Sequence, residues 1–381
     1  MTRLTLAHGL AFASLVALPA IARAQANLSV QGFGYPPGQF STRAEGSGGA
    51  LGEMDPLSPV NPASVAVIGT RMVYFQIEPE FRTVTAGGTT ERTNTNRYPN
   101  VFGAMPIGSR WAVSLGASTL LDRTSSTAFT TTQHLNATDS VLMNTTYQIQ
   151  GAMNDVRFAT AWTPQSWLRV GVGLHAITGH NLVSLTEAFP SDSVQFAQFT
   201  QQRMLGFKGS AVSAGVQLAG QYVVAAFSAR KGNALHVNAE DTVLTSANVP
   251  DQFGASIAYV GLSNSAIALR TSKTNWSALG TLGAPGLKGV DAWDTSLGAD
   301  IAGPRWGDQL VFLRGGFRTR TLPFQAAGQN VKENSFSGGL GTNFANSRVL
   351  TDIAVIHSSR SAAVGASEHA WTLSFGVSVR P

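Results

Sequence analysis

The chain has 381 residues, no cysteine and a net charge of +5. The absence of cysteine excludes a disulfide-stapled exported domain and thiolate metal sites, and the mild, dispersed positive charge does not indicate nucleic-acid binding. Charged residues make up only 12% of the chain, against roughly 25% in soluble proteins, and glycine is frequent, with 40 residues. This composition is typical of chains whose segments are half apolar and half small or polar, as in a transmembrane β-barrel.

The first 24 residues have the features of a secretory signal peptide. Arg3 precedes an apolar run over residues 10–21, and the sequence A-R-A at residues 22–24 has the form of a cleavage site. The apolar run is shorter than the ~20 residues that a membrane-spanning helix needs. We therefore predict that residues 1–24 are removed. Removal lowers the net charge to +3, because two arginines and no acidic residue lie there.

Residues 25–64 are rich in glycine, proline, serine and alanine and show neither helical nor strand periodicity. A barrel of about fourteen strands encloses a lumen wide enough to leak unless something fills it. Glycines allow tight turns and close approach to a wall, and Pro56, Pro59 and Pro62 stiffen the chain without requiring sheet pairing. We predict that residues 25–64 fold inside the barrel as a plug. A disordered tail is the alternative.

From residue 65 onward the sequence alternates with a period of two. Large apolar side chains occupy every second position from Trp371 to Val379, with small or polar ones between them. Successive side chains of a strand point to opposite faces, so one face suits lipid and the other a lumen. We predict an all-β fold, an antiparallel transmembrane barrel of about fourteen strands. The strands are expected to begin near Val65, Thr89, Arg110, Asp139, Trp167, Ser193, Gln221, Asn233, Ser265, Asp291, Asp308, Glu333, Arg348 and Glu368.

Tryptophans lie near the ends of the predicted strands. Four lie near strand starts and two near strand ends: Trp111, Trp167, Trp293, Trp371, Trp162 and Trp276. This distribution favours aromatic girdles at both membrane interfaces. The alternative is that tryptophan simply favours strands.

The sequence offers little evidence of chemistry. His175 and His180 would face opposite sides of a strand and could not share a metal ion. The glycine-rich residues 338–341 follow no βαβ pattern, so a crowded lumen explains them better than a dinucleotide site. We expect no catalytic residue, no metal and no cofactor. A hydrolase built into the wall strands is left open as an alternative.

Seven carboxylates are expected mostly at turns or in long polar hairpins, as solvated loop surface, and some of them could pair with lumen arginines. The carboxylates are Asp139, Asp155, Glu187, Asp192, Glu240, Asp241 and Asp251. The arginines are Arg157, Arg169, Arg270 and Arg314.

Six stretches, in this order, carry a resemblance to a known family. They are residues 42–50 (TRAEGSGGA), 61–65 (NPASV), 249–256 (VPDQFGAS), 312–318 (FLRGGFR), 335–341 (SFSGGLG) and 351–354 (TDIA). The asparagine-proline-alanine element after a glycine-rich run is the most specific of them. The chain resembles the FadL-like long-chain fatty-acid transporters, a set of outer-membrane barrels that includes PorV-like scaffold proteins.

The resemblance implies a fourteen-stranded barrel with an N-terminal hatch. Hydrophobic ligands would enter from outside, shift the hatch, and leave laterally or into the periplasm. Carried over to this chain, the hatch covers residues 25–64 and precedes a barrel over residues 65–381. Its gating residues would be Gly46, Gly48, Gly49, Asn61, Pro62 and Ala63.

The function expected from the sequence is passive uptake of small hydrophobic compounds, fatty-acid-like or aromatic, across the outer membrane of a Gram-negative-type bacterium. The expected partners are outer-membrane lipid and lipopolysaccharide, the hydrophobic ligand and the barrel assembly machinery, with no nucleic acid. Two alternatives remain open. One is a PorV-like scaffold that binds secretion partners, and the other is a general porin.

Overall fold

The computed structural model describes residues 33–86, 89–134, 140–189, 197–240, 242–280, 289–307, 309–326, 328–345, 348–362 and 366–381. The predicted signal peptide, residues 1–24, lies outside the described residues. Within them the chain is almost entirely β. The strands are β1 (Met72–Ala86), β2 (Thr89–Arg97), β3 (Asn100–Ile107), β4 (Trp111–Asp122), β5 (Ser125–His134), β6 (Ser140–Gln165), β7 (Leu168–Ala188), β8 (Phe199–Ala219), β9 (Val223–Ala239), β10 (Thr242–Asn248), β11 (Gln252–Tyr259), β12 (Ala266–Thr274), β13 (Ala292–Trp306), β14 (Gln309–Ala326), β15 (Gln329–Phe344), β16 (Val349–Ala362) and β17 (Ala366–Val379).

The strands form one closed antiparallel barrel. Each wall strand pairs with the next along the chain, and β1 pairs with β17 to close the ring. Three wall strands are each interrupted once. The pairs β2–β3, β4–β5 and β10–β11 are each two segments of one wall strand, because both segments pair with the same neighbour. The wall therefore has 14 strands, and the predicted all-β antiparallel barrel is confirmed.

The two faces of the wall differ as the alternation predicts. The outer face carries exposed large apolar side chains, among them Leu115 (60% exposed), Leu174 (63%) and Phe336 (64%). The inner face carries small, polar and charged side chains, such as Ser114, Arg157 and Ser213, which are buried. We call the end at which β1 begins and β17 ends the terminal rim, and the opposite end the distal rim.

Trp111 and Trp162 stack at the terminal rim with their ring centroids 5.7 Å apart. Trp167, Trp293 and Trp371 are also exposed on the outer face, as an aromatic girdle requires. Trp276 departs from this prediction because it is only 5% exposed. It opens a short 3₁₀ helix, Trp276–Leu279, whose first and last side chains belong to a buried apolar cluster.

Most predicted strand starts lie within a few residues of the observed ones, but two are wrong. Val65 lies in a 3₁₀ helix, Pro62–Val67, and the first strand begins at Met72. Asn233 lies inside β9, where the register against β8 shifts by a bulge. Residues 231–233 form no turn before a new strand, and the Gly232 amide donates to Asp251 Oδ1 (2.9 Å).

Helices are few and short. The α-helix α1, Thr42–Gly46, is capped by the Ser41 side chain, which accepts from the Ala44 amide. Among the described residues, no helix is long and apolar enough to span a membrane.

Candidate functional site

Residues 33–71, which we call the N-terminal segment, lie against the inner face of the wall. Most of their side chains are buried, and the segment touches strands on all sides of the lumen. Its first residues, Phe33 and Tyr35, join an apolar cluster toward the distal rim. Its last part, including Leu57, Val65 and Ile68, joins a second apolar cluster near the terminal rim. The segment therefore runs along the lumen from one cluster to the other.

The asparagine-proline-alanine element docks on two wall glycines. Gly171 of β7 and Gly215 of β8 are cross-strand partners. A Cβ on Gly215 would overlap the Asn61 side chain, and a Cβ on Gly171 would overlap the backbone of Pro62. The Asn61 Oδ1 also accepts from the Ala63 amide (2.9 Å), which starts the 3₁₀ helix. The missing side chains in the wall thus make room for the element.

The glycine-rich run docks on the opposite part of the wall. Gly298 and Gly316 are cross-strand partners, and a Cβ on either would overlap the Ser47 backbone. Gly48 and Gly49 have φ angles of 68° and 84°, which favour glycine because a Cβ is strained there. A Cβ on Gly46 would lie 3.4 Å from the Cα of Gly339. Gly339 is one of the glycines at residues 338–341 that the sequence analysis explained by a crowded lumen.

Five of the six predicted gating residues, namely Gly46, Gly48, Asn61, Pro62 and Ala63, therefore contact the inner wall, whereas a Cβ on Gly49 would meet Phe40 of the segment itself. Their contacts fix the segment in place. A role in gating remains a prediction.

Side-chain hydrogen bonds also tie the segment to strands all around the barrel. Thr42 Oγ1 lies 2.8 Å from Ser374 Oγ of β17, and Glu53 accepts from Arg270 Nε of β12 (3.2 Å). Asn100 of β3 donates to the Leu57 carbonyl (2.8 Å). Buried polar groups are costly without partners, so these bonds favour the docked position of the segment.

Tyr35 is held in a cage of buried arginines. The guanidinium carbons of Arg97, Arg320 and Arg360 lie 4.7, 4.9 and 4.6 Å from the centroid of its ring. Its hydroxyl donates to Glu333 Oε2 (3.1 Å) and accepts from Arg320 Nη2 (2.5 Å). A cation over an aromatic face contributes about 0.5–2 kcal/mol, more when both are desolvated.

The cage is part of a buried ionic network on the wall. Arg360 bonds to Glu80 (3.0 Å), Glu333 (2.6 Å) and Glu368 (2.5 Å). Arg97 bonds to Glu80 and to Asp122 (2.7 Å). Because each charge has opposite charges beside it, the network can remain ionised in the lumen.

Tyr35 also pairs with the wall at the place where two neighbouring strands, β2 and β5, separate. Beyond β3 and β4, toward the distal rim, β2 pairs with β1 and β5 pairs with β6. At the base of this split, the Tyr35 amide donates to the Asp122 carbonyl (2.7 Å) and the Asp122 amide donates back (2.8 Å). Tyr35 therefore supplies β4 with a backbone pairing at the point where the two halves of the wall separate.

The apolar cluster toward the distal rim, which we call the distal cluster, is built from inward-facing side chains of the wall, the start of the segment and the 3₁₀ helix Trp276–Leu279. Its larger members are Phe33, Leu121, Met153, Ile177, Phe207, Leu235, Trp276, Leu279, Leu322 and Phe324. A lumen that held only water would gain nothing from such a lining. Apolar side chains converging in this way are typical of sites for hydrophobic ligands.

Two small cavities lie beside the segment. One cavity of about 30 Å³ is lined by Tyr35, Glu45 and Glu78, and another of about 50 Å³ lies beside Gln39 and Arg230. Volumes of this size hold a few water molecules, whereas ligand pockets measure roughly 300–1,000 Å³. The described conformation therefore leaves no passage for an organic ligand at these two places.

Glu45 is the one acidic side chain of α1, and it faces the smaller cavity. Burial and the nearby Glu78 carboxylate raise the pKa of the Glu45 carboxyl to about 8, although Arg318 and Arg320 oppose this rise. At neutral pH the carboxyl is mostly protonated in the docked segment. Its environment disfavours the charged form.

From the sequence, Asp155 was misassigned, and its grouping with His175 and Ser213 was missed. Asp155, expected on a solvated hairpin, is only 1% exposed and accepts from His175 Nδ1 (2.8 Å). His175 Nε2 in turn lies 2.8 Å from Ser213 Oγ. Arg157, expected to pair with a carboxylate, makes no ion pair with the described residues. Arg270 and Arg314 do form ion pairs, but with Glu53 and Asp352 and not with any of the seven carboxylates named from the sequence. The shared lumen face of β6, β7 and β8 is the only signal in the sequence that could have indicated this group.

Solved structures with the same architecture are found at low sequence identity. A FadL homologue of Pseudomonas aeruginosa is 13% identical, covers 91% of this chain and 99% of its own, and has a TM-score of 0.60. The toluene transporter TbuX of Ralstonia pickettii is 12% identical, with 93% and 99% covered and a TM-score of 0.58. The toluene transporter TodX of P. putida is 11% identical, with 93% and 99% covered and a TM-score of 0.58.

No protein-family model and no curated protein sequence matches the chain. At 11–13% identity the solved structures establish the fold, and at that level they confirm the resemblance seen in the sequence. The chain thus has the fold shared by a FadL homologue and by the toluene transporters TbuX and TodX, along nearly the full length of each.

Proposed function

We propose that this protein is an outer-membrane channel for passive uptake of small hydrophobic compounds, with the N-terminal segment as its hatch. The observation that carries the proposal is the position of the segment between an apolar cluster at the distal rim and the terminal rim. A ligand that leaves water would gain roughly 25 cal/mol for each Å² of apolar surface buried in the distal cluster. It could continue only after the segment moves.

The apolar outer belt supports the outer membrane as the location. A barrel satisfies its backbone hydrogen bonds internally, so it can span lipid. We place the terminal rim in the periplasm, because both ends of an even-stranded wall lie there, and the distal rim outside the cell. Outer-membrane lipid and lipopolysaccharide would then contact the belt, and the barrel assembly machinery would insert it.

The proposed steps involve binding and displacement. A hydrophobic compound enters at the distal rim and occupies the distal cluster. Displacement of the segment breaks the Tyr35 contacts and opens a path either to the periplasm or sideways, at the split between β2 and β5. The solved relatives that transport toluene support aromatic or fatty-acid-like ligands as the substrate class.

The cavities beside the segment also bear on the two alternatives. Volumes of about 30 and 50 Å³ do not suit a steadily open general porin. The described part of the chain offers no surface feature that favours a scaffold for secretion partners over a channel.

A reversible lock tests the hatch. The chain has no cysteine, and Thr42 Oγ1 lies 2.8 Å from Ser374 Oγ, so a Thr42→Cys/Ser374→Cys variant can join the segment to β17 by a disulfide. We expect oxidation to slow the uptake of toluene by cells whose outer membrane carries this variant and reduction to restore it. The control is Ser335→Cys/Ser358→Cys, whose hydroxyls lie 3.0 Å apart in the wall, and oxidation should not affect its uptake. Equal uptake by the oxidised and reduced forms of the hatch variant would refute the hatch.

A further inference from the structure

Three lumen side chains on neighbouring strands form a relay of hydrogen bonds. Both Asp155 carboxylate oxygens lie within 2.9 Å of His175 Nδ1, and His175 Nε2 lies 2.8 Å from Ser213 Oγ. The residues belong to β6, β7 and β8, and all three are buried. This is the order of contacts, carboxylate to imidazole to hydroxyl, by which hydrolases activate a serine. It is recognised by geometry and not by position along the chain.

The carboxylate of the relay is itself held in place. Gln39 of the N-terminal segment donates to Asp155 Oδ2 (3.2 Å), and Arg230 Nη1 lies 3.5 Å from the same oxygen. These partners leave the imidazole as the group that can exchange a proton with the serine. A fixed carboxylate orients the imidazole and stabilises its protonated form.

A second, independent observation concerns the buried Arg157 side chain, whose stem lies near the serine. Arg157 is 6% exposed, and its Nη1 has no hydrogen-bond partner among the described residues. A Cβ on Gly173 would lie 2.5 Å from Ser213 Oγ, 3.4 Å from His175 Nε2 and 3.6 Å from Arg157 Cδ. The hydroxyl, the imidazole and the stem of the arginine side chain therefore border the small space above Gly173.

The relay lies directly beneath the distal cluster. On each strand the next lumen-facing residue toward the distal rim is an apolar member of that cluster: Met153, Ile177 and Ala211. A compound whose apolar part occupies the cluster would place a polar linkage at the level of Ser213. This combination of an apolar pocket with a few convergent polar groups is typical of an active site.

We propose that Ser213 is a nucleophile and that the barrel cleaves carboxylic esters whose apolar part lies in the distal cluster. The proposal goes beyond uptake and rests only on the ability of this cluster to hold apolar groups. His175 is the general base, Asp155 is a positioning residue, and Arg157 faces the developing oxyanion.

The reaction balances with water as the second substrate. Ser213 Oγ attacks the ester carbonyl carbon while its proton passes to His175 Nε2, and the carbonyl electrons form an oxyanion facing Arg157. The C–O bond to the alcohol breaks, and the alcohol leaves with the proton from His175. Water then attacks the acyl-serine and gives its proton to His175. The carboxylic acid leaves and Ser213 regains a proton.

Covalent labelling tests the nucleophile. The full chain, purified in detergent micelles, is treated with an alkyl fluorophosphonate and examined by intact and peptide mass spectrometry. We expect one phosphonyl adduct, at Ser213, with loss of fluoride. Ser213→Ala should abolish the adduct, and His175→Gln should slow its formation on the order of a hundredfold or more. Ser335→Ala, which removes a buried lumen hydroxyl whose hydrogen-bond partner among the described residues is Ser358, should leave labelling unchanged.

Access to the site is measured separately, so that a failure to label is decisive. A Ser213→Cys variant introduces the only thiol, which is treated with methyl methanethiosulfonate. A thiol that reacts in a chain whose native serine stays unlabelled would mean that the hydroxyl is reached but not activated, and would overturn the proposal. A thiol that no reagent reaches would also overturn it, because no ester could reach it either.

Turnover and transport give distinguishable outcomes. Hydrolysis of p-nitrophenyl esters of apolar acids should depend on Ser213 and increase with the apolar character of the acid. The Thr42→Cys/Ser374→Cys lock tests uptake alone. Labelled Ser213 with no effect of the lock on uptake would support the esterase and refute the hatch. Unlabelled Ser213 with a lock that slows uptake would support the hatch and refute the esterase. A structural role of the relay would give neither an adduct nor ester turnover.

Discussion

The guanidinium carbon of Arg360 lies 4.6 Å from the centre of the Tyr35 ring, and so one wall residue contacts the segment that fills the lumen. Arg360 is fully buried and is bonded to three carboxylates of the wall. The arginine is therefore held rigidly by the barrel whether or not the segment is docked. The aromatic ring is the part that can leave.

Replacement of Tyr35 by leucine should release the segment more often. The change removes three cation–π contacts and the phenol hydrogen bonds, and even 1.4 kcal/mol of the lost stabilisation gives about a tenfold increase in the released population. Trypsin is too large to enter the lumen, so the rate of cleavage after Arg43 measures release. Tyr35→Phe, which keeps the ring, should lie between the leucine variant and the wild type. Equal cleavage rates for all three chains would contradict a latching role.

A side chain on a wall glycine should displace the asparagine-proline-alanine element. Gly215→Val would overlap the Asn61 side chain, and overpacking of this kind typically costs about 1–3 kcal/mol. We expect faster cleavage in the segment and a lower thermal stability. Gly206→Val on the same strand is the matched control, because nothing lies within 4 Å of its added Cβ. If both variants behave alike, the loss of thermal stability comes from the strand and not from the docked element.

Docking of the segment should weaken as the pH rises from about 4.3 to about 8 and should change little above that. The pKa of Glu45 is raised by burial to about 8 in the docked segment, whereas a solvated glutamate has a pKa of about 4.3. A raised pKa means that the stabilisation is complete below the solvated value, declines between the two values and is lost once the pH has passed the docked value. Trypsin cleavage should therefore increase between about pH 6 and about pH 8 more than the protease's own pH profile explains, and this excess should level off above about pH 8. Glu45→Gln should remove this excess increase in cleavage. If the increase persists in that variant, another titrating group causes it.

A polar side chain in the distal cluster should reduce uptake of hydrophobic compounds. Phe324 is fully buried in that cluster. Phe324→Asn removes an apolar contact worth about 1.5–3 kcal/mol when fully used, so uptake of toluene by cells whose outer membrane carries the variant should fall about tenfold or more. Phe324→Leu should retain most of the activity. Uptake that is insensitive to both changes would mean that the ligand passes elsewhere.

The alternation of side chains carried most of the fold prediction. A period of two is a local property, so the wall strands and their faces could be predicted from residues such as Trp371 to Val379. Two predictions failed because local backbone geometry, and not the alternation, decided the outcome. Gly232 and Asn233 form a bulge rather than a turn, since the partner strand continues past them. Trp276 turns inward because the residues after β12 form a 3₁₀ helix.

The site was harder to predict because it depends on register. The sequence places Asp155, His175 and Ser213 on lumen faces of neighbouring strands, but a shift of two residues in either pairing would separate them while preserving every face. The Tyr35 cage depends on register still more, since Arg97, Arg320 and Arg360 come from distant parts of the chain. The glycines of the segment and of the wall could be recognised from composition, but not which ones would meet.

The bond between Thr42 and Ser374 has a consequence for folding order. The two residues are 332 positions apart, and Tyr35 and Glu333 are 298 apart. Contacts of this separation carry a large loop-closure cost and form only when other contacts have brought their partners together. The segment precedes every described strand along the chain, yet it cannot complete its bonds until the last strand has closed the ring. The part of the described chain that comes first in the sequence is therefore the last to reach its native position.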